Sequence, residues 1–149
     1  MEKIKRLIDN LSYIQRNFDM YVEEVIRDNE QIIINFNRQD QLYNKGITST
    51  SKDISSYKPY KSLTIKIKQE KGQPTDRVTL RDRGDFYEGF YVTYFEGGFL
   101  INSTDDKTQE LKNKYGQDIF GLTNENISNL LHTEIIPILI KQYKDRLGI

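Results

Sequence analysis

The sequence predicts an α+β fold: a small, curved antiparallel sheet packed against N- and C-terminal helices, with a long flexible loop. Three observations predict it. Aliphatic residues recur at helical steps from Ile4 to Ile26. Two runs rich in aromatic and β-branched residues flank Glu96-Gly97-Gly98. A third stretch, Ile127 to Leu139, again carries apolar residues at helical spacing. With 149 residues, 36% hydrophobic and 30% charged, the chain fits one compact domain with one core.

The first element is the N-terminal helix. Ile4, Leu7, Ile8, Leu11, Ile14, Phe18, Val22, Val25 and Ile26 form one stripe, with Lys5, Arg6, Asp9, Arg16, Glu23 and Arg27 on other faces, so residues 1–28 read as an amphipathic helix ending near Asp28-Asn29. Gln31 to Phe36 either continues it after a break or forms a short strand. Residues 37–77 read as an extended basic loop region. Asn37 to Tyr57 is polar, with a turn at Asn44-Lys45-Gly46 and few apolar anchors, and is expected to be mobile in the isolated protein. Pro59 keeps Lys58 extended. Leu63, Ile65 and Ile67 alternate with Thr64, Lys66 and Lys68, which favours a strand, although Tyr60, Leu63 and Ile67 also satisfy a helical stripe.

Residues 78–103 hold the predicted strands and hairpin. After a turn at Gly72 to Asp76, Val78 and Leu80 are read as inward residues of a short strand. Asp85 to Phe90 reads as one helical turn capped by Asp85, with Phe86 and Phe90 on one side. Tyr91 to Phe95 and Phe99 to Asn102 pair around Gly97 and Gly98, whose freedom to take positive φ suits a tight turn. Residues 104–149 are helical: Thr104 or Asp105 caps a helix through Lys114 that closes at Gly116, and Thr123 or Asn124 caps the last helix, which Pro137 should kink. Gly84, Gly97, Gly98, Gly116 and Gly121 are the structural turns of this reading.

Composition narrows the function classes. No apolar run approaches the roughly 20 residues that span a bilayer, and Met1 to Arg6 is not followed by the apolar stretch of a signal peptide. The expectation is a protein made in the cytoplasm, with no membrane partner. The chain has no cysteine and one histidine, which leaves carboxylates as the only means of holding a metal. Its net charge of zero conceals a reversal. Lys45 to Arg83 carries ten Lys or Arg against four Asp or Glu, whereas Asp85 to Glu134 carries three against nine. Such a reversal within one small chain points to complementary surfaces.

Residues with chemical potential all have plainer readings. Arg83-Gly84-Asp85 matches an integrin-binding tripeptide but reads as a glycine turn between charged neighbours. Asp76 with Glu110-Leu111-Lys112 is arranged like the carboxylates of metal-dependent nucleases, yet those need the Glu-x-Lys on a core strand, and here it lies in a polar helical segment. His132 has no Ser, Cys or Asp partner nearby to make it a general base. Tyr57-Lys58-Pro59-Tyr60-Lys61 interleaves aromatics and lysines, as single-stranded nucleic-acid binders do, but the neutral chain and its acidic second half suit packing better. No catalytic, metal or cofactor-binding residue is expected, and no cofactor.

Several segments resemble one family in order along the chain. They are Gln41 to Ile47, the Tyr57 and Tyr60 segment, Gly72 to Asp82 leading to Gly84-Asp85-Phe86, and Tyr115-Gly116 with Phe120-Gly121-Leu122-Thr123. From Gln41 onward the chain resembles the tail-completion and head-to-tail joining proteins of tailed bacteriophages, also called virion morphogenesis or minor neck proteins. The resemblance implies long helices on a curved sheet, a loop that orders in the particle, and no catalytic activity. It also implies a homo-oligomeric ring between the portal or adaptor and the tail proteins of the virion, with DNA at most passing through the lumen. The family commonly has a small hydroxyl residue where this chain has Arg83, and it makes Tyr60 to Lys71 a mobile loop or a helix.

The leading expectation is therefore a structural virion protein. The alternative is a nucleic-acid-binding or packaging accessory protein using residues 45–83. Because a ring joins different faces of successive subunits, Lys58, Lys61, Lys66, Lys68 or Lys71 is expected to approach Asp105, Asp106, Glu110 or Asp118 of the neighbour.

Overall fold

A computed structural model describes residues 1–149 as two compact units, Met1–Glu30 with Ser128–Ile149, and Gln31–Ile127. In chain order the helices and strands are α1 (Glu2–Arg16), α2 (Phe18–Asp28), α3 (Glu30–Asn35), α4 (Ser62–Glu70), α5 (Asp85–Glu88), β1 (Phe90–Phe95), β2 (Gly98–Ser103), α6 (Thr108–Tyr115), α7 (Asn124–Asn129) and α8 (Ile136–Leu147). Wider, π-type helical segments occupy Phe36–Lys45 and Leu130–Ile135. The fold is α+β, helix-rich with one two-stranded antiparallel sheet.

In the first unit the predicted N-terminal helix is interrupted once, at Asn17. Its side-chain amide turns back to donate to the carbonyl of Tyr13 at 2.8 Å, competing with the main chain, and the backbone opens to φ −111°. Asn29 ends α2 in the same way, donating to the carbonyl of Val25 at 2.8 Å. Val25, Leu130, Ile135 and Leu139 form the small core. Tyr143 of α8 packs its ring between Phe18 and Tyr21, with centroids 6.3 and 6.1 Å away. The Arg146 guanidinium lies 3.5 Å from the centre of the Tyr13 ring. Pro137 sits in the first turn of α8, so its missing N–H coincides with the hand-over from the wide segment at Leu130–Ile135.

The second unit is built around the hairpin. β1 and β2 pair from Phe90 opposite Ser103 to Phe95 opposite Gly98. Gly97 supplies the positive φ of the turn (85°), whereas Gly98 lies within β2 without one, so only one of the two glycines is needed for its freedom. Phe90, Ile101 and Ser103 face inward; Phe95 and Leu100 face solvent. Phe86, Phe90 and Phe120 form an aromatic cluster with centroids 5.1 to 5.7 Å apart, which places Phe86 and Phe90 together as their spacing predicts. Asp85 opens α5 but does not cap it; Gly84, at φ 118°, holds the cap position without a side-chain bond. Thr123 does cap α7, its hydroxyl accepting from the Asn126 N–H at 3.2 Å.

Of the two alternatives for Gln31 to Phe36, the helix after a break is the one that forms: Gln31 to Asn35 is helical, and Ile33 and Ile34 are buried. Two expectations are corrected. Asn37 to Tyr57 is not a loop without anchors: it begins inside the helical segment Phe36–Lys45, and Asn37, Gln41, Leu42, Thr48 and Ile54 are all fully buried. The stretch looked loop-like because most of its anchors are amides and hydroxyls, which hydropathy does not score. Residues 60–71 hold helix α4 and not a strand. The alternation misled because the apolar residues are not the inward set: Leu63 is 70% exposed, while Lys68 is only 6% exposed.

A third correction concerns Val78 to Leu80. Val78 is buried, but no strand forms, and Leu80 takes a left-handed φ of 56°. Side chains stand in for the missing neighbour strand. The Thr79 N–H donates to the Tyr60 hydroxyl at 2.9 Å, and the Tyr87 hydroxyl donates to the Thr79 carbonyl. Lys68 donates to the Arg81 carbonyl at 2.6 Å, and Gln73 to that of Asp82 at 2.8 Å. The backbone groups are thereby satisfied without a ladder.

Candidate functional site

Two constructions in the second unit organise its polar groups. The first is an amide clamp. Asn37 and Gln41 lie four residues apart and project to one side of Phe36–Lys45. Asn37 donates to the Ile119 carbonyl at 3.0 Å and accepts from the Gly121 N–H at 3.1 Å. Gln41 donates to the Gly121 carbonyl at 2.9 Å and accepts from the Thr123 N–H at 2.8 Å. Each side-chain amide thus mimics a peptide group of a neighbouring strand. Asn126 buttresses the clamp, donating to Gln41 Oε1 and to Asp40 Oδ2, both at 3.0 Å. Ile119, Phe120 and Leu122 are pressed into the core as a plug, with Gly121 at φ 109° making the turn between them.

The second construction is a cleft of about 330 Å³. Ile67, Val78, Leu80, Phe86, Leu111 and Tyr115 give it apolar walls. Its rim carries Arg81, Arg83 and Lys107 together with Asp82, Asp85 and Asp105. Lys68 lies at its base with the ammonium consumed: it donates to Gln73 Oε1 at 3.0 Å as well as to the Arg81 carbonyl, and rests 4.9 Å from the centre of the Tyr60 ring. Burial pushes the Tyr87 hydroxyl well above the ordinary tyrosine range, so it stays protonated as the donor to Thr79. Lysine and tyrosine here hold the wall of the cleft in shape. Apolar walls with a few polar groups at the edge are the general make-up of a ligand-receiving cleft.

The residues expected at a subunit interface divide into two sets. Lys58, Lys61 and Lys66 are exposed, as are Asp106 and Glu110. The others are engaged within the chain. Lys68 is buried, which removes it from any interface and corrects that expectation; its three donors are drawn inward by carbonyl, amide and hydroxyl acceptors. Lys71 pairs with Asp82, whose carboxyl it holds below the usual range. Asp118 accepts from the Thr50 hydroxyl at 2.8 Å, and Asp105 accepts from the Lys107 N–H at 2.8 Å. The two charge tracts also meet within the chain, where Lys45 lies 3.0 Å from Asp40 and 3.5 Å from Glu125; the hydrogen bond to Asp40 raises the lysine's pKa.

The remaining motifs find structural places. Gly84, Gly97, Gly116 and Gly121 all take positive φ. Glu110-Leu111-Lys112 lies on α6, Asp76 pairs with Arg77 at 2.7 Å, and no group of three or more His, Cys, Asp or Glu side chains gathers as a metal site. His132 is exposed, and its Nδ1 donates to the Ser128 carbonyl at 2.8 Å. No helix is long and apolar enough to cross a membrane. Sequence reasoning missed the clamp and the cleft. The only signal for the clamp was the four-residue spacing of Asn37 and Gln41, and nothing local announced a buried Lys68. Compared with protein-family models, curated proteins and solved structures, the chain matches none of them.

Proposed function

We propose that this chain is a structural virion protein of a tailed bacteriophage, forming a ring at the neck or tail-completion position that joins head to tail. The observation that carries the reading is the pair of charge sets left exposed in the second unit. Lys58, Lys61 and Lys66 have no ion pair within the chain, nor have Asp106 and Glu110. A head-to-tail ring joins two different faces of the same subunit, so exposed sets of opposite charge on one chain can guide each copy onto the next. The family resemblance from Gln41 onward supports the same assignment. So does the use of the buried polar groups, from Asn37 and Gln41 to Lys68 and Tyr87, to fix backbone shape. Individual exposed pairs contribute roughly 0–1 kcal/mol each, so the charges set register and apolar contacts hold the ring.

The test is assembly of the purified chain, followed by mass measurement and negative-stain imaging. The parent is expected to form closed rings at low salt. Combined Lys58→Glu, Lys61→Glu and Lys66→Glu should block assembly with the monomer still folded, and adding Asp106→Lys and Glu110→Lys should restore it. Equal assembly of the triple variant and the parent overturns the charge-guided contact. Tight, steeply salt-dependent binding to random duplex DNA by a protein that never forms rings would favour the nucleic-acid-binding or packaging accessory reading instead.

A further inference from the structure

The first unit presents an apolar surface that its own chain does not cover. None of the side chains of α1 is buried. Ile4 (63% exposed), Leu7, Ile8 (56%) and Leu11 form one stripe along it. The register of α1 against α8 explains why. Asn10 donates to the Arg146 carbonyl and Tyr13 stacks on the Arg146 guanidinium, while Phe18 and Tyr21 flank Tyr143. The two helices are antiparallel, α8 ends at Leu147, and the first two turns of α1, with Ile4, Leu7 and Ile8, run past that end. Leu11 lies on a different side of α1 from the Asn10 and Tyr13 that meet Arg146. An overhanging helix with an aliphatic stripe is a surface built for a partner.

Charge identifies the partner. On the helical wheel Lys3 and Lys5 flank the stripe on its two sides, whereas Glu2, Arg6 and Asp9 lie behind it. Pairing α1 in parallel with α1 of another copy would therefore set lysine against lysine. The outer face of α2 has the opposite pattern. Exposed Met20 is bordered by Asp19 and Glu23 on one side and by Glu24 and Asp28 on the other. Met20, Glu23, Glu24, Arg27 and Asp28 line a shallow depression of about 320 Å³. Arg27, within that face, is paired to Glu23 at 2.7 Å. An apolar stripe between lysines thus complements a methionine between carboxylates, and both lie on the same chain.

We propose that the overhanging stripe of α1 in one copy docks on the acidic face of α2 in the next copy. The inference rests on the ring reading and names the apolar contact that such a ring requires. Donor and acceptor are different patches, so the contact is heterologous and propagates from copy to copy.

Because the chain has no cysteine, the contact can be tested by cross-linking. Full-length Ile8→Cys and full-length Met20→Cys are mixed and treated with a short bismaleimide. The expected result is a covalent dimer in the mixture that far exceeds the dimers formed by either variant alone. Ile8→Glu should raise the concentration needed for assembly by at least about tenfold. Lys3→Glu with Lys5→Glu should weaken assembly, and adding Glu24→Lys with Asp28→Lys should recover it. Rings that form without the mixed cross-link overturn this contact and leave the ring reading standing. A chain that stays monomeric at every concentration overturns both. Binding of the monomer to anionic phospholipid vesicles that Ile8→Glu abolishes would reassign the stripe to a lipid surface.

Discussion

Lys68, in the last turn of a short helix, donates its ammonium to the carbonyl oxygen of Arg81 at 2.6 Å, thirteen residues further along the chain. The bond fixes the wall of a cleft whose backbone has no strand to pair with. Lys68→Met keeps the volume but leaves the Arg81 carbonyl without its donor, and is expected to lower stability by about 1–3 kcal/mol. Lys66→Met, on an exposed face of the same helix, should stay within about 0.5 kcal/mol of the parent. Urea unfolding of the two variants checks the contrast.

Gln41→Glu tests the amide clamp with almost no change in shape. The oxygen that replaces Nε2 would face the Gly121 carbonyl and have nothing to donate. Burial and that repulsion raise the folded-state pKa of the new carboxyl above its unfolded value. Its contribution is then fully present below the unfolded pKa and is lost as pH rises through the folded one. Melting temperatures are expected to fall from pH 4 to pH 7 more steeply for the variant than for the parent.

Gly121 and Gly84 take φ of 109° and 118°, where an L side chain is strained. At Gly121 an added Cβ would also come within 3.2 Å of the Ser49 Cβ, whereas at Gly84 the nearest atom is 3.9 Å away. Alanine should cost about 1 kcal/mol or more at both positions, with the larger loss at Gly121. Thermal melts of the two variants side by side establish the order.

The Tyr143 hydroxyl is buried without a hydrogen-bond partner between helices of the first unit. Tyr143→Phe keeps the ring against Phe18 and Tyr21 and removes the unsatisfied group. The variant should be as stable as the parent or more so, by up to about 1 kcal/mol. A fall in melting temperature contradicts the assignment.

The buried anchors of residues 37–57 imply resistance to proteolysis where composition implied a mobile loop. Lys45 is held by Asp40 and Glu125. Under limited trypsin treatment it should survive while Lys61, exposed and outside any ion pair, is cut. Mass spectrometry of the first fragments decides the matter.

The sequence by itself determined the elements whose cause is local. The aliphatic stripe from Ile4 to Ile26 is enough for a helix, Gly97 is enough for the hairpin turn, and Phe86 and Phe90 meet because they are four residues apart. Tertiary structure decided the rest, because the causes are distant in sequence. Leu63, Ile65 and Ile67 alternate like a strand, yet the segment is helical because that geometry carries Lys68 to acceptors on Gln73 and Arg81. Asn37 and Gln41 look like loop residues until Ile119 to Thr123 arrives with open backbone groups for them to bind. Hydropathy registers what leaves water, but it does not register which polar groups satisfy one another inside. The stripe of α1 shows the converse: its periodicity fixed the helix, and only the register against α8 left its apolar face uncovered.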